Sequence, residues 1–165
     1  SCCERCGLDC DANGQCVVGD KAEALFRLAD GFYYRRYNGG DGGRDASKLG
    51  MHPFLSELLQ NFKGDRATPS KERRLRLYAG HDTVIAPLLS ALGVFDGNWP
   101  PLASRIVFEL RGANIRILFN GRDVSGGVCP GAAAAGVVGC TLASFEARVE
   151  ALLGGAASFG VACGN

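Results

Sequence analysis

Residues 75–110 read LRLYAGHDTVIAPLLSALGVFDGNWPPLASRIVFEL, a stretch that joins a strand pattern, a sharp turn bearing ionisable groups and an apolar helix. Leu75, Leu77 and Ala79 alternate with Arg76 and Tyr78, the period-two pattern of a short strand with one face towards a core. Gly80 breaks that strand. Asp82 or Thr83 is placed to cap a helix whose apolar positions Val84, Ile85, Leu88, Leu89 and Leu92 recur at helical spacing, and Gly93 is a natural stop. His81 and Asp82 therefore sit where a strand hands over to a helix. An anion such as phosphate is favoured at a helix N-terminus by free N–H groups and the helix dipole. A carboxyl beside a bound anion is pushed towards its protonated form, the condition for donating a proton to a leaving group. The plainer reading makes Asp82 an N-cap and His81 a turn residue.

Outward from this stretch, the composition is that of a globular protein. The chain has 165 residues, 47% hydrophobic and 21% charged, enough for one ordinary domain with a real core. A net charge of +1 gives no general reason to expect nucleic acid or an anionic membrane as partner. No apolar run approaches the roughly 18 residues of a membrane span. The start at Ser1, without an initiating Met or a signal-peptide pattern, is that of the interior of a longer precursor or of a processed chain.

Eight cysteines fall in two groups: Cys2, Cys3, Cys6, Cys10 and Cys16 near the start, and Cys129, Cys140 and Cys163 towards the end. In a domain of this size they point to disulfides formed in the secretory pathway or outside the cell, with pairing not deducible. Zinc is the rival, through Cys3 and Cys6 with Cys10 and Cys16, but the second spacing is too loose for a standard ribbon or finger. Residues 1–16 are thus a cysteine-rich segment and 17–165 the domain proper.

In chain order, Asp20 and Glu23 resemble a capping pair, and Leu25, Leu28, Ala29 and Phe32 form the apolar stripe of an amphipathic helix to about Tyr37. Its Phe32, Tyr33, Tyr34 and Tyr37 read as core aromatics, with Arg35 and Arg36 as a solvated face. Residues 38–45, NGGDGGRD, are a flexible loop and no phosphate cradle, because no strand precedes them and no lysine follows. A second helix is predicted over 47–62 with Phe54, Leu55, Leu58, Leu59 and Phe62 buried; His52, before Pro53, reads as structural. Residues 63–74, KGDRATPSKERR, read as an exposed connector. Ile106, Phe108 and Leu110 alternate with Arg105, Val107 and Glu109, and Ile115, Ile117 and Phe119 with Arg116 and Leu118, so the two runs predict a β-hairpin. A Gly/Ala-rich loop then leads to a last helix capped by Thr141, with Leu142, Phe145, Val149 and Leu152 on one face and Gly154 at its end.

With these residues in place the chain resembles the C-terminal part of the histidine acid phosphatases, in branch 2 of the histidine phosphatase superfamily. The resemblance rests on Tyr78-Ala-Gly-His81-Asp82-Thr83, on Leu89-Ser-Ala-Leu92-Gly93, on Pro100-Pro101-Leu-Ala-Ser-Arg105 leading into Ile106-Val-Phe-Glu109-Leu110, and on Phe119-Asn120-Gly-Arg-Asp123-Val124. It implies an α/β fold, here a partial histidine-phosphatase-like sheet flanked by helices and lacking the N-terminal strands. It also implies phosphomonoester hydrolysis through a phosphohistidine, with Asp82 as the general acid, His81 binding phosphate, and no cofactor or metal. A phosphomonoester or a phosphate anion is the expected ligand.

The family's nucleophile is the His of an Arg-His-Gly-x-Arg motif, and the two histidines here, in Met51-His52-Pro53 and Gly80-His81-Asp82, are not preceded by Arg. The chain alone is expected to be inactive and to need an N-terminal segment or chain carrying that motif. The alternatives are a noncatalytic anion-binding pseudophosphatase and an extracellular disulfide-rich interaction domain.

Overall fold

The structure, a computed structural model, describes residues 19–40, 42–68, 75–130, 139–154, 159–162 and 164. The cysteine-rich segment, the candidate zinc ligands Cys3, Cys6, Cys10 and Cys16, and Cys163 lie outside the described residues. The fold is mixed α/β. Three helices come first, α1 (Gly19–Asn38), α2 (Gly43–Ala67) and α3 (Asp82–Leu92). Strands β1 (Ile106–Arg111), β2 (Asn114–Phe119) and β3 (Arg122–Asp123) follow, then the short α4 (Ser125–Val128), β4 (Cys140–Thr141), α5 (Leu142–Glu150) with a 3₁₀ turn Ala151–Leu153, and α6 (Phe159–Ala162). No described helix is long and apolar enough to cross a membrane.

α3 is the central helix. Every residue from Ala86 to Leu92 is buried, as expected of a helix apolar on all sides. Leu88, Leu89, Ala91 and Leu92 pack into one cluster with Leu55, Leu58, Leu59 and Phe62 of α2 and with Phe145, Val149 and Leu152. Gly93, at φ 79°, ends α3, with its own N–H on the Ser90 carbonyl and the Val94 N–H on the Leu89 carbonyl. The predicted cap is displaced by one residue. His81 holds the N-cap position in extended conformation, and Asp82 is already the first helical residue.

The hairpin forms as predicted, antiparallel in the register Ile106↔Phe119, Phe108↔Ile117 and Leu110↔Ile115. These pairs put one apolar face of the sheet on the core. β3 and β4 pair with opposite ends of β2, Phe119↔Arg122 and Ile115↔Cys140. Asn120 and Gly121, at φ 50° and 85°, make the two-residue turn into β3. A disulfide joins Cys129 to Cys140 across the Gly/Ala-rich stretch. Thr141 caps α5 as predicted, its Oγ1 accepting from Ser144 N at 3.0 Å, and Leu142, Phe145, Val149 and Leu152 are buried.

Four expectations are corrected. The strand expected at Leu75–Ala79 has no strand partner among the described residues. Its alternation survives with the faces exchanged. Arg76 is paired with Asp65, and Tyr78 packs edge-on against Phe54 at 5.1 Å, so these two side chains face α2. Leu75 and Leu77 are 84% and 89% exposed. A period of two fixes alternation but not which face is covered, and no described layer covers the leucines.

The apolar stripe of α1 is likewise not its packing face: Leu28 is 68% exposed, and Leu25 and Phe32 are also exposed. Ala22, Phe26, Asp30, Tyr33 and Tyr37, spaced four, four, three and four apart, turn towards the rest of the protein instead. The loop after α1 is shorter than expected, since α2 begins at Gly43. The 63–67 part of the predicted connector is helical, extending α2, and is tied down by the ion pair of Lys63 with Glu146 of α5. Beyond Gly154, Phe159 of α6 stacks on His52 at 5.9 Å. His52 also lies 3.3 Å from Ser56 Oγ, and burial lowers its pKa, which agrees with a structural role.

Candidate functional site

The site is built where three segments meet at the N-terminus of α3. α1 is held there by its own last turn, where the Tyr37 carbonyl lacks a helical partner. Ser47 Oγ of α2 donates to it at 2.9 Å, and Ser90 Oγ of α3 donates to it as well. This double anchor fixes the helix so that Tyr33, one turn earlier, reaches the other end of α3.

Tyr33 Oη donates to Asp82 Oδ2 at 2.7 Å. Trp99 Nε1 donates to the same oxygen at 2.6 Å, and Thr83 N donates to Oδ1 at 2.8 Å. The indole is itself fixed by α1. Its ring stacks on Tyr33 with centroids 5.7 Å apart and planes at 19°, and Phe26 packs against it at 6.4 Å. Its backbone N–H donates to Asp30 Oδ1 at 2.7 Å. Gly97, two residues before, has φ 90°, and a Cβ there would lie 3.0 Å from Tyr34 Cδ2. Glycine is therefore required for the loop to approach α1 this closely.

The electrostatics follow from the donors. The Tyr33 hydroxyl and then the Trp99 indole, helped by the Thr83 amide and the His81 charge, hold the Asp82 carboxyl below the usual carboxylate range against the opposing effect of burial. Burial first, and the neighbouring Asp82 second, push the Tyr33 phenol up to about 12. Tyr33 therefore stays a donor throughout the range in which a carboxylate titrates. His81 is exposed, its backbone carbonyl accepting the Val84 and Ile85 N–H groups.

His81 and Asp82 thus stand side by side, as the sequence places them. Tyr33, Trp99 and Asp30 are additions. The helical spacing of Tyr33 points to the core, and the contacts of the Trp99 loop are set by residues far from it in sequence. A usable signal was present: Phe26, Asp30, Tyr33 and Tyr37 form a second stripe along α1, in which a carboxylate sits among aromatics. Among the described residues no group of three or more His, Cys, Asp or Glu side chains is placed to hold a metal ion.

Residues 23–120, more than half of the chain, match the histidine phosphatase superfamily (branch 2). The chain is 39% identical over 87 residues to 2-phosphoxylose phosphatase 1 from Homo sapiens, a match covering 48% of this chain and 18% of that protein. It is 46% identical over 70 residues to lysophosphatidic acid phosphatase type 6 from Bos taurus (41% and 16%) and 33% identical over 96 residues to the Mus musculus form (53% and 23%). The chain therefore spans less than a quarter of the length of these relatives. No solved structure matches it.

Proposed function

Because the chain belongs to the histidine phosphatase superfamily (branch 2), we propose that it supplies the acid and part of the phosphate site of a phosphomonoester hydrolase. The observation that carries this reading is the position of His81 and Asp82 at the N-terminus of α3. The positive end of the helix favours a phosphate there. Thr83, Val84 and Ile85 N–H groups already have protein partners, so His81 and the helix dipole are left as the main attractions for the anion. A phosphate seated beside Asp82 opposes the pull of Tyr33 and Trp99 and returns a proton to the carboxyl, which then protonates the departing alcohol.

The nucleophile, a His in an Arg-His-Gly-x-Arg motif, belongs to polypeptide outside these 165 residues, since His52 is packed against Phe159 and His81 binds phosphate. That additional polypeptide would also cover the Leu75 and Leu77 face. The relatives bearing this family's domain are named for a phosphorylated sugar and a lysophospholipid, so the substrate class is a phosphomonoester of an alcohol. The Cys129–Cys140 disulfide supports a protein made in the secretory pathway.

Mixing the chain with a polypeptide that carries the Arg-His-Gly motif tests the reading. Phosphomonoesterase activity is expected from the mixture and from neither part alone. A stable complex without activity contradicts it.

A further inference from the structure

The two oxygens of Asp82 have different surroundings. Oδ2 accepts both Tyr33 Oη and Trp99 Nε1, whereas Oδ1 accepts the Thr83 N–H alone among the described residues. A carboxylate oxygen has about two lone-pair sites. On Oδ2 both are taken, so a proton placed there would have to displace a donor. On Oδ1 one remains.

We propose that Tyr33 and Trp99 are positioning residues that occupy Oδ2 and leave Oδ1 as the oxygen that hands its proton to the leaving alcohol. The proposal rests on Asp82 being the general acid. In the step, the bond from phosphorus to the alcohol oxygen breaks as the nucleophile bonds to phosphorus. The alcohol takes the Oδ1 proton, and the negative charge stays on Asp82. Two preset donors on Oδ2 then meet that charge as it develops, without reorganisation. Asp30 and Phe26 serve the arrangement by fixing the indole. The groups facing Asp82 are Tyr33 from α1, Trp99 from the loop, and Thr83 and His81 from its own turn; Arg36 and Tyr37 bear on Tyr33.

Tyr33→Phe and Trp99→Phe each remove one donor and leave an aromatic ring in place. In a polypeptide that contains this chain and turns over phosphomonoesters, each is expected to lower kcat/KM for an alkyl phosphate about tenfold, as loss of one hydrogen bond to a charged group implies. An aryl phosphate with a good leaving group should change much less. The protonated carboxyl is the active form, so kcat/KM falls as pH rises through the Asp82 pKa. Removing a donor to the charged form raises that pKa, so the descending limb should move to higher pH. In the 165-residue chain itself, the Asp82 carboxyl carbon followed by NMR should titrate at higher pH in both variants. A limb or a carboxyl titration that stays in place in both variants overturns the proposal. If instead Asp82→Asn spares alkyl phosphate turnover, the general-acid reading fails, whatever the titration shows.

Discussion

Replacing Asp82 by Asn is expected to lower kcat on alkyl phosphates by about 10² to 10⁴-fold, the range for loss of a positioned general acid. The effect should depend on the alcohol. An alkoxide is a poor leaving group and needs the proton as the ester bond breaks, whereas a nitrophenolate departs without it. Turnover of nitrophenyl phosphate should therefore fall far less. Asn keeps the shape of the side chain and still accepts from Tyr33 through its carbonyl oxygen, so lost folding is not the expected cause. His81→Ala should behave differently, raising KM for both substrates alike, because a phosphate ligand acts on the group they share. Steady-state kinetics on the two substrates in a turnover-competent polypeptide makes the comparison. Equal slowing of both by Asp82→Asn would remove the acid role.

The largest effect on stability is expected at Phe145. Its ring is fully buried and packs edge-on against Phe62 of α2 at 6.3 Å and Phe108 of β1 at 6.1 Å. One side chain of α5 thus joins the helical layer to the sheet. Phe145→Ala should cost about 3–5 kcal/mol, the transfer term plus the cavity left among residues that cannot close over it. Phe32, on the exposed stripe of α1, offers the contrast: Phe32→Ala should fall within about 0.5 kcal/mol of the parent. Urea unfolding of the 165-residue chain, followed by circular dichroism, measures both. A loss below about 1 kcal/mol at Phe145 would mean that the helices and the sheet do not share one core.

The parts of this fold that were legible in the sequence are those fixed by near neighbours. The hairpin alternates on both sides of a short turn, α3 is apolar through most of its length, and Thr141 lies three residues from the amide that it caps. What failed depends on partners far along the chain. Leu75 and Leu77 have the correct alternation, but a strand also needs a neighbour to pair with. Lys63 to Ala67 look like solvated connector until Glu146 is brought beside Lys63. On α1 the more hydrophobic stripe is the exposed one, and aromatic and polar side chains one position round the helix make the contacts.

The site divides in the same way. His81 and Asp82 are adjacent and were readable as a pair. The two donors that set the state of Asp82 come from 49 residues before it and 17 after it, and neither spacing carries a sequence signal. The family likeness of residues 23–120 supports a phosphate chemistry, and the geometry adds that the Asp82 carboxyl is held from one side by a phenol and an indole.

If this chain brings the acid and the phosphate ligand, the nucleophile lies elsewhere. Acid-free quenching of a turning-over polypeptide that contains the chain, followed by mass spectrometry of its phosphorylated peptide, tests it most directly. Phosphohistidine is expected in an Arg-His-Gly segment outside these 165 residues. Phosphate found on His52 or His81 would contradict it.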